Sequence, residues 1–133
     1  MSAPTGTDIT GLRQVALTVS SVEQSVAFYR DAVGLPFLFS AGPNLAFLSI
    51  GGVRLMLSGP EGAFTPGLSS VLYFQVADII AAHAAMKARA VDFIDEPHLI
   101  AQMPDHDLWL SAFRDPDGHT MALMCERPRV TPA

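Results

Sequence analysis

The alternation of apolar and polar positions divides the chain into short elements in a repeating order. "LRQVALTV" (12–19) has strand composition, and "SSVEQSVAFYRDAVGLP" then changes period, placing Val22, Val26, Tyr29 and Val33 on one helical face. The start of that helix has capping-box spacing, with Ser20–Glu23 and Ser21–Gln24 as alternatives, and Gly34 followed by Pro36 ends it. Three strands are predicted next, "LPFLFS", "LAFLSI" and "VRLMLS", separated by Gly42-Pro43 and by Gly51-Gly52, a hairpin-type link. The stretch "GPEGAFTPGLSS" (59–70) concentrates Gly, Pro and Ser and reads as a connector.

The order then begins again. "SVLYFQV" predicts a strand, Asp78 caps a helix over "IIAAHAAMKARA", and "VDFIDEPH", "DLWLSAFR" and "HTMALMC" predict three more strands. Residues 14 to 33 superpose on 71 to 90, so that Val19 meets Val76, Val22 meets Ile79 and Arg30 meets Lys87. The pattern implies a duplicated βαβββ unit. Module 1 spans about 10–58, a linker 59–69, module 2 about 70–126 and a tail 127–133.

Composition narrows the function classes. A chain of 133 residues, half of them hydrophobic, supports one compact domain. The net charge is −5, with Lys and Arg scattered, so no basic stripe is available for nucleic acid. The lone Cys125 forms no internal disulfide, and "MSAPTGTDIT" lacks the basic flank and apolar run of a secretory leader, which together imply a cytoplasmic protein. No apolar run is long enough to span a bilayer, so the positive hydropathy is assigned to the core and to a subunit interface, with a homodimer expected.

Two segments carry a resemblance. "VALTVSSVEQSVAFYRDAVGLP" and "FRDPDGHTMAL", in that order within a duplicated frame, resemble the vicinal oxygen chelate superfamily, which includes glyoxalase I, extradiol dioxygenases and the bleomycin resistance proteins. The resemblance covers about residues 10 to 126. It implies an α+β fold in which two βαβββ modules form a curved mixed sheet around a cleft, with the helices on the outer face. It also implies four metal-ligand positions, which fall here on Gln14, Met56, Val71 and Ala122. Val and Ala have no donor atom and a thioether suits copper better than hard divalent ions, so neither metal nor cofactor is expected.

Strand parity then assigns the cleft wall. Pairing across Gly51-Gly52 sets Phe47 opposite Met56 and Ser49 opposite Arg54, leaving Leu48, Ile50, Val53, Leu55 and Leu57 to pack under the helices. Pairing across a four-residue turn, Asp115 to Gly118, sets Phe113 opposite Thr120, Ser111 opposite Ala122 and Trp109 opposite Met124. Alternation from Gln14 and Val71 adds Ala16, Thr18, Tyr73 and Gln75. The expected lining is aromatic and sulfur-rich with one cation, Arg54. It suits a neutral or anionic small organic molecule, with Arg54, Tyr73 or Gln75 fixing a carboxylate or carbonyl. The competing reading is that the aromatic residues fill a collapsed cleft or dimer seam, with Arg54 on a solvated rim.

The histidines offer a second function class. His98 and His106 flank "LIAQMPD", with Asp105 and Asp107 beside the second, and a hairpin there brings both imidazoles to one side. An enzyme of lyase, isomerase or dioxygenase type would use one of them as acid or base, or both with a relocated metal. The alternative is turn chemistry, with imidazoles bonding local backbone. His83 falls on the inward helical face, His119 is expected at the surface, and Cys125 has core parity.

Overall fold

The computed structural model describes residues 6, 7 and 9–128; the remaining N-terminal residues and tail residues 129–133 lie outside it. Strand β1 (Gln14–Thr18) leads into α1 (Val22–Ala27), which continues as a π-helical segment (Phe28–Val33). Three strands follow, β2 (Phe37–Ser40), β3 (Leu45–Ile50) and β4 (Val53–Ser58). The second half contains β5 (Tyr73–Gln75), α2 (Ile79–Ala88), β6 (Asp92–Phe93), β7 (His98–Gln102), β8 (His106–Arg114) and β9 (Thr120–Pro128). No helix among the described residues is long and apolar enough to cross a membrane.

The helix ends follow from local chemistry. Of the two capping alternatives, Ser21 is the one used: its side chain accepts from the Gln24 amide at 3.2 Å. Gly34 takes a left-handed φ of 94° that lets its N–H and that of Leu35 both return to the Tyr29 carbonyl, at 3.1 and 2.8 Å. Asp78 caps α2 through the Ala81 amide, as its position predicts.

Two mixed sheets carry the fold, one in the order β1-β4-β3-β2 and the other β5-β9-β8-β6, with β7 also on β8. β1 pairs parallel with β4 and β5 parallel with β9; the other neighbours are antiparallel. The Gly51-Gly52 link has positive φ at both residues, and the β3–β4 register is the one its spacing predicts. Leu48, Leu55 and Leu57 are fully buried on the helix side with Leu17, Val19 and Tyr29.

Two expectations are corrected. The segment after α2 is not one strand over 91–98: β6 is short, and β7 runs through residues expected to be a connector. Both lie along β8, as a single strand interrupted between Phe93 and His98. Pro97 has no N–H to continue a ladder, and Asp95 inserts its carboxylate to accept the Ala112 amide at 2.7 Å.

The second correction concerns the β8–β9 register. Asp115 N–H donates to the His119 carbonyl at 3.0 Å and Gly118 N–H to the Asp115 carbonyl at 2.9 Å, which makes a three-residue loop of Pro116, Asp117 and Gly118. Arg114 therefore faces Thr120, Phe113 faces Met121, Ser111 faces Leu123 and Trp109 faces Cys125. A one-residue slip moves every side chain of a strand to the other face. Trp109, Ser111 and Phe113 consequently lie on the helix side, where Ser111 and Phe113 are fully buried and Trp109 packs against the core under Arg127.

Candidate functional site

The faces turned away from the helices carry Gln14, Phe47, Arg54 and Met56 on one sheet and Tyr73, Gln75, Ala122 and Met124 on the other, but not Trp109, Ser111 or Phe113. On the first sheet the register forms rows across three strands. Gln14, Arg54 and Ser49 make one row, Ala16, Met56 and Phe47 the next, and Thr18, Ser58 and Leu45 the third. Burial agrees with this parity, because Arg54, Met56 and Ser58 are half-buried while Leu55 and Leu57 between them are inaccessible.

Within these rows Phe39 stacks on Phe47 with centroids 4.6 Å apart, and the Arg54 guanidinium carbon lies 5.9 Å from the Phe47 centroid. The Gln14 amide nitrogen approaches the Met56 sulfur at 3.7 Å. Arg54 makes no ion pair among the described residues, and its buried Nε has no hydrogen-bond partner. A cavity of about 380 Å³ lies where the linker residues Phe64 and Leu68 pass β1, and it reaches this face at Ala16 and Thr18.

On the second sheet Tyr73 faces Ala122, which faces Ala112, and Gln75 faces Met124, which faces Leu110. Val71 precedes β5 and, with Tyr73, is exposed. Leu110 and Ala112 thus take the places expected for Trp109, Ser111 and Phe113. The β8 side of this wall is therefore aliphatic rather than aromatic, and Tyr73 on β5 supplies its aromatic ring.

The four positions where the resemblance implies metal ligands provide one amide, one thioether and two aliphatic side chains. Gln14 already turns its amide to the Met56 sulfur, and Val71 and Ala122 have nothing to donate. This donor set does not fit a hard or borderline divalent ion.

His98 and His106 do not converge. His98 pairs with Leu110 and His106 with Pro128, so they stand four residues apart along β8, on the order of 13 Å. His98 is exposed, with Nδ1 2.7 Å from the Glu96 carbonyl. His106 is half-buried between carboxylates, Nδ1 at 2.7 Å from Asp105 and Nε2 at 3.6 Å from Glu126. His83 is buried as expected, its ring 4.2 Å from that of Phe93, and Cys125 is buried with its thiol near the Ala77 carbonyl.

His119 contradicts its expected surface placement, being fully buried in a network the sequence did not reveal. The Asp115 carboxylate accepts from Tyr29 Oη at 2.7 Å, His119 Nδ1 at 2.9 Å, and the amides of Asp117 and His119 at 3.0 and 2.9 Å. Asp117 in turn accepts from the Ser20 amide and hydroxyl. Ligand atoms of Asp115, Asp117 and His119 lie within 4.8 Å of one another, but four donors already occupy the Asp115 oxygens. The cluster is a clamp between the start of the first module and the last hairpin of the second. The legible signals were Tyr29 on the inward helical face and "DPDGH"; nothing in the pattern joined them.

Burial, and then the adjacent Asp115 carboxylate, hold the Tyr29 phenol well above its ordinary value of 10.0. Above that pH only the unfolded chain ionises this phenol. Its contribution to stability is therefore complete below pH 10.0 and declines as pH rises, by about 1.4 kcal/mol per pH unit. Tyr29→Phe should remove that slope from urea unfolding curves taken between about pH 9 and 11, while costing about 1 kcal/mol at neutral pH.

A family model described as Glyoxalase/Bleomycin resistance protein/Dioxygenase superfamily matches residues 11–123. The chain belongs to this superfamily. Among solved structures it is similar to a superfamily member from Sphaerobacter thermophilus, at 23% identity over 89% of this chain and 98% of that one, with a TM-score of 0.74. It is similar to an integron cassette protein from the mobile metagenome of Vibrio cholerae, at 22% identity over 90% and 97%, TM-score 0.72. A lactoylglutathione lyase from Agrobacterium tumefaciens aligns at 18% identity over 88% and 94%, TM-score 0.69. At these identities the neighbours establish the fold. No curated protein matches the chain.

Proposed function

We propose that this protein binds a neutral or anionic organic molecule without a metal ion, using Gln14, Phe47, Arg54 and Met56 of one sheet and Val71, Tyr73, Gln75, Ala122 and Met124 of the other. The observation that carries this reading is the unpaired Arg54 set among aromatic and sulfur side chains, on a face whose metal-ligand positions lack suitable donors. A guanidinium supplies fixed positive charge and in-plane donors where a Lewis acid has no ligands to hold it. The exposed Phe39, Val71 and Tyr73 support a homodimer in which a second copy covers part of these faces.

The test combines metal analysis with ligand screening. Protein prepared without chelator is expected to contain far less than one transition-metal ion per chain, and EDTA should leave its melting temperature unchanged. Small aromatic or amphipathic compounds at about 100 times Kd should stabilise it by about 2.7 kcal/mol, with or without EDTA. One tightly held transition metal per chain, or a ligand response that disappears with EDTA, would overturn the reading.

A further inference from the structure

We propose that the ligand is an aromatic carboxylate: a planar ring system seated on the Ala16–Met56–Phe47 row, with its carboxyl group, attached to the ring directly or through one carbon, bound by the Gln14–Arg54–Ser49 row. This inference rests on the proposed binding role of the open faces and narrows it to one chemical class.

The argument starts from strand registry. Gln14, Arg54 and Ser49 are Cα partners across β1, β4 and β3, so their side chains leave the same face side by side. The strands are about 4.8 Å apart, so an amide and a hydroxyl flank the guanidinium, and their side chains can converge on a carboxylate held at the central Arg54. All three groups donate hydrogen bonds. The first-sheet face formed by these rows contains no Asp or Glu, so its field favours an anion and offers nothing to an organic cation.

The state of Arg54 points the same way. Its guanidinium carbon lies over the Phe47 ring, which is itself stacked on Phe39. Contact with a π face holds a guanidinium in place but gives its N–H groups no lone-pair acceptor. The buried Nε is accordingly left without a partner. Such a donor is costly unless something fills the position, and a carboxylate meeting the planar fork edge-on is the complement that the geometry lacks.

The adjoining row sets the rest of the molecule. Two residues along a strand amount to about 6.7 Å, so the apolar row begins one ring's breadth from the donors. Ala16 leaves space, Met56 offers a polarisable surface that packs against ring edges, and Phe47 forms the far wall. The cavity beyond Ala16 and Thr18, lined by Phe64 and Leu68, leaves room for a second ring. An aliphatic acid would meet the donors but leave this row unused, and a neutral arene would leave Arg54 unpaired.

The test is isothermal titration of the full chain with 2-naphthoate and indole-3-acetate, each beside its neutral carboxamide. The acids should bind at least tenfold more tightly than the amides. Arg54→Met should abolish that preference by weakening the acids at least tenfold more than the amides, and Arg54→Lys should restore only part of it, because Lys lacks the fork. If Arg54→Met does not fold by circular dichroism, Gln14→Leu gives the reading, with acid binding weakened severalfold more than amide binding. Equal affinity for acids and amides overturns the inference and leaves the binding role standing. An acid preference that survives Arg54→Met, or with Gln14→Leu stays at its wild-type size, overturns it as well. No binding by any of the four compounds overturns both the inference and the aromatic-ligand reading beneath it.

Discussion

Asp115→Ala is expected to lower the unfolding free energy by about 3–5 kcal/mol, the largest effect of any polar substitution in this chain. The Asp115 side chain is fully buried, and its removal deprives Tyr29 Oη, His119 Nδ1 and the amides of Asp117 and His119 of their acceptor at once. Tyr29 and His119 have no easy recourse to water, since both are fully buried. Urea unfolding followed by far-ultraviolet circular dichroism measures the loss, and for a domain of this size it corresponds to a fall in Tm of about 10–15 °C. Tyr29→Phe separates the contributions, because it removes one donor and leaves the other three in place. A double variant losing much less than the sum of the singles would identify the cluster as one cooperative unit. A cost below about 1 kcal/mol for Asp115→Ala would mean that the clamp does not hold the two modules together.

This clamp also marks where sequence reasoning stopped. Period and punctuation were enough to place β1, α1, β3, β4, β5 and α2, because each is bounded by caps or glycines whose chemistry acts locally: Ser21 on Gln24, Asp78 on Ala81, Gly34 in a left-handed turn. The Gly51-Gly52 hairpin was legible for the same reason, and with it the Gln14, Phe47, Arg54 and Met56 face. The β8–β9 hairpin was not. Its loop length is set by a carboxylate that folds back on its own turn while tied to a tyrosine 86 positions away, and no local pattern reports such a partner. His119 was misplaced for the same reason, since a histidine after a turn reads as exposed until its acceptor is known. The split of β6 from β7 likewise depends on Asp95 reaching the Ala112 amide.

Phe113→Ala provides the sharpest check on that register. With Phe113 opposite Met121, its ring lies in the core, 5.6 Å from Phe93, 6.2 Å from Phe74 and 6.3 Å from Phe28. Those three rings come from both modules, so truncation opens a void that neither can close without moving the other. The expected cost is about 3–5 kcal/mol, as for other buried phenylalanines. Had the turn contained four residues, Phe113 would stand beside Ala122 on the open face, and the same substitution would weaken ligand binding with little effect on stability. Phe113→Leu distinguishes a void from a lost contact: it refills most of the volume and should recover more than half of the loss. Pairing denaturation curves with titration of 2-naphthoate against each variant decides between the registers, because a core position moves the first measurement and a cleft position the second. A large loss of stability with affinity retained in the folded fraction places the boundary between core and site at β8, leaving Leu110 and Ala112 to face the ligand.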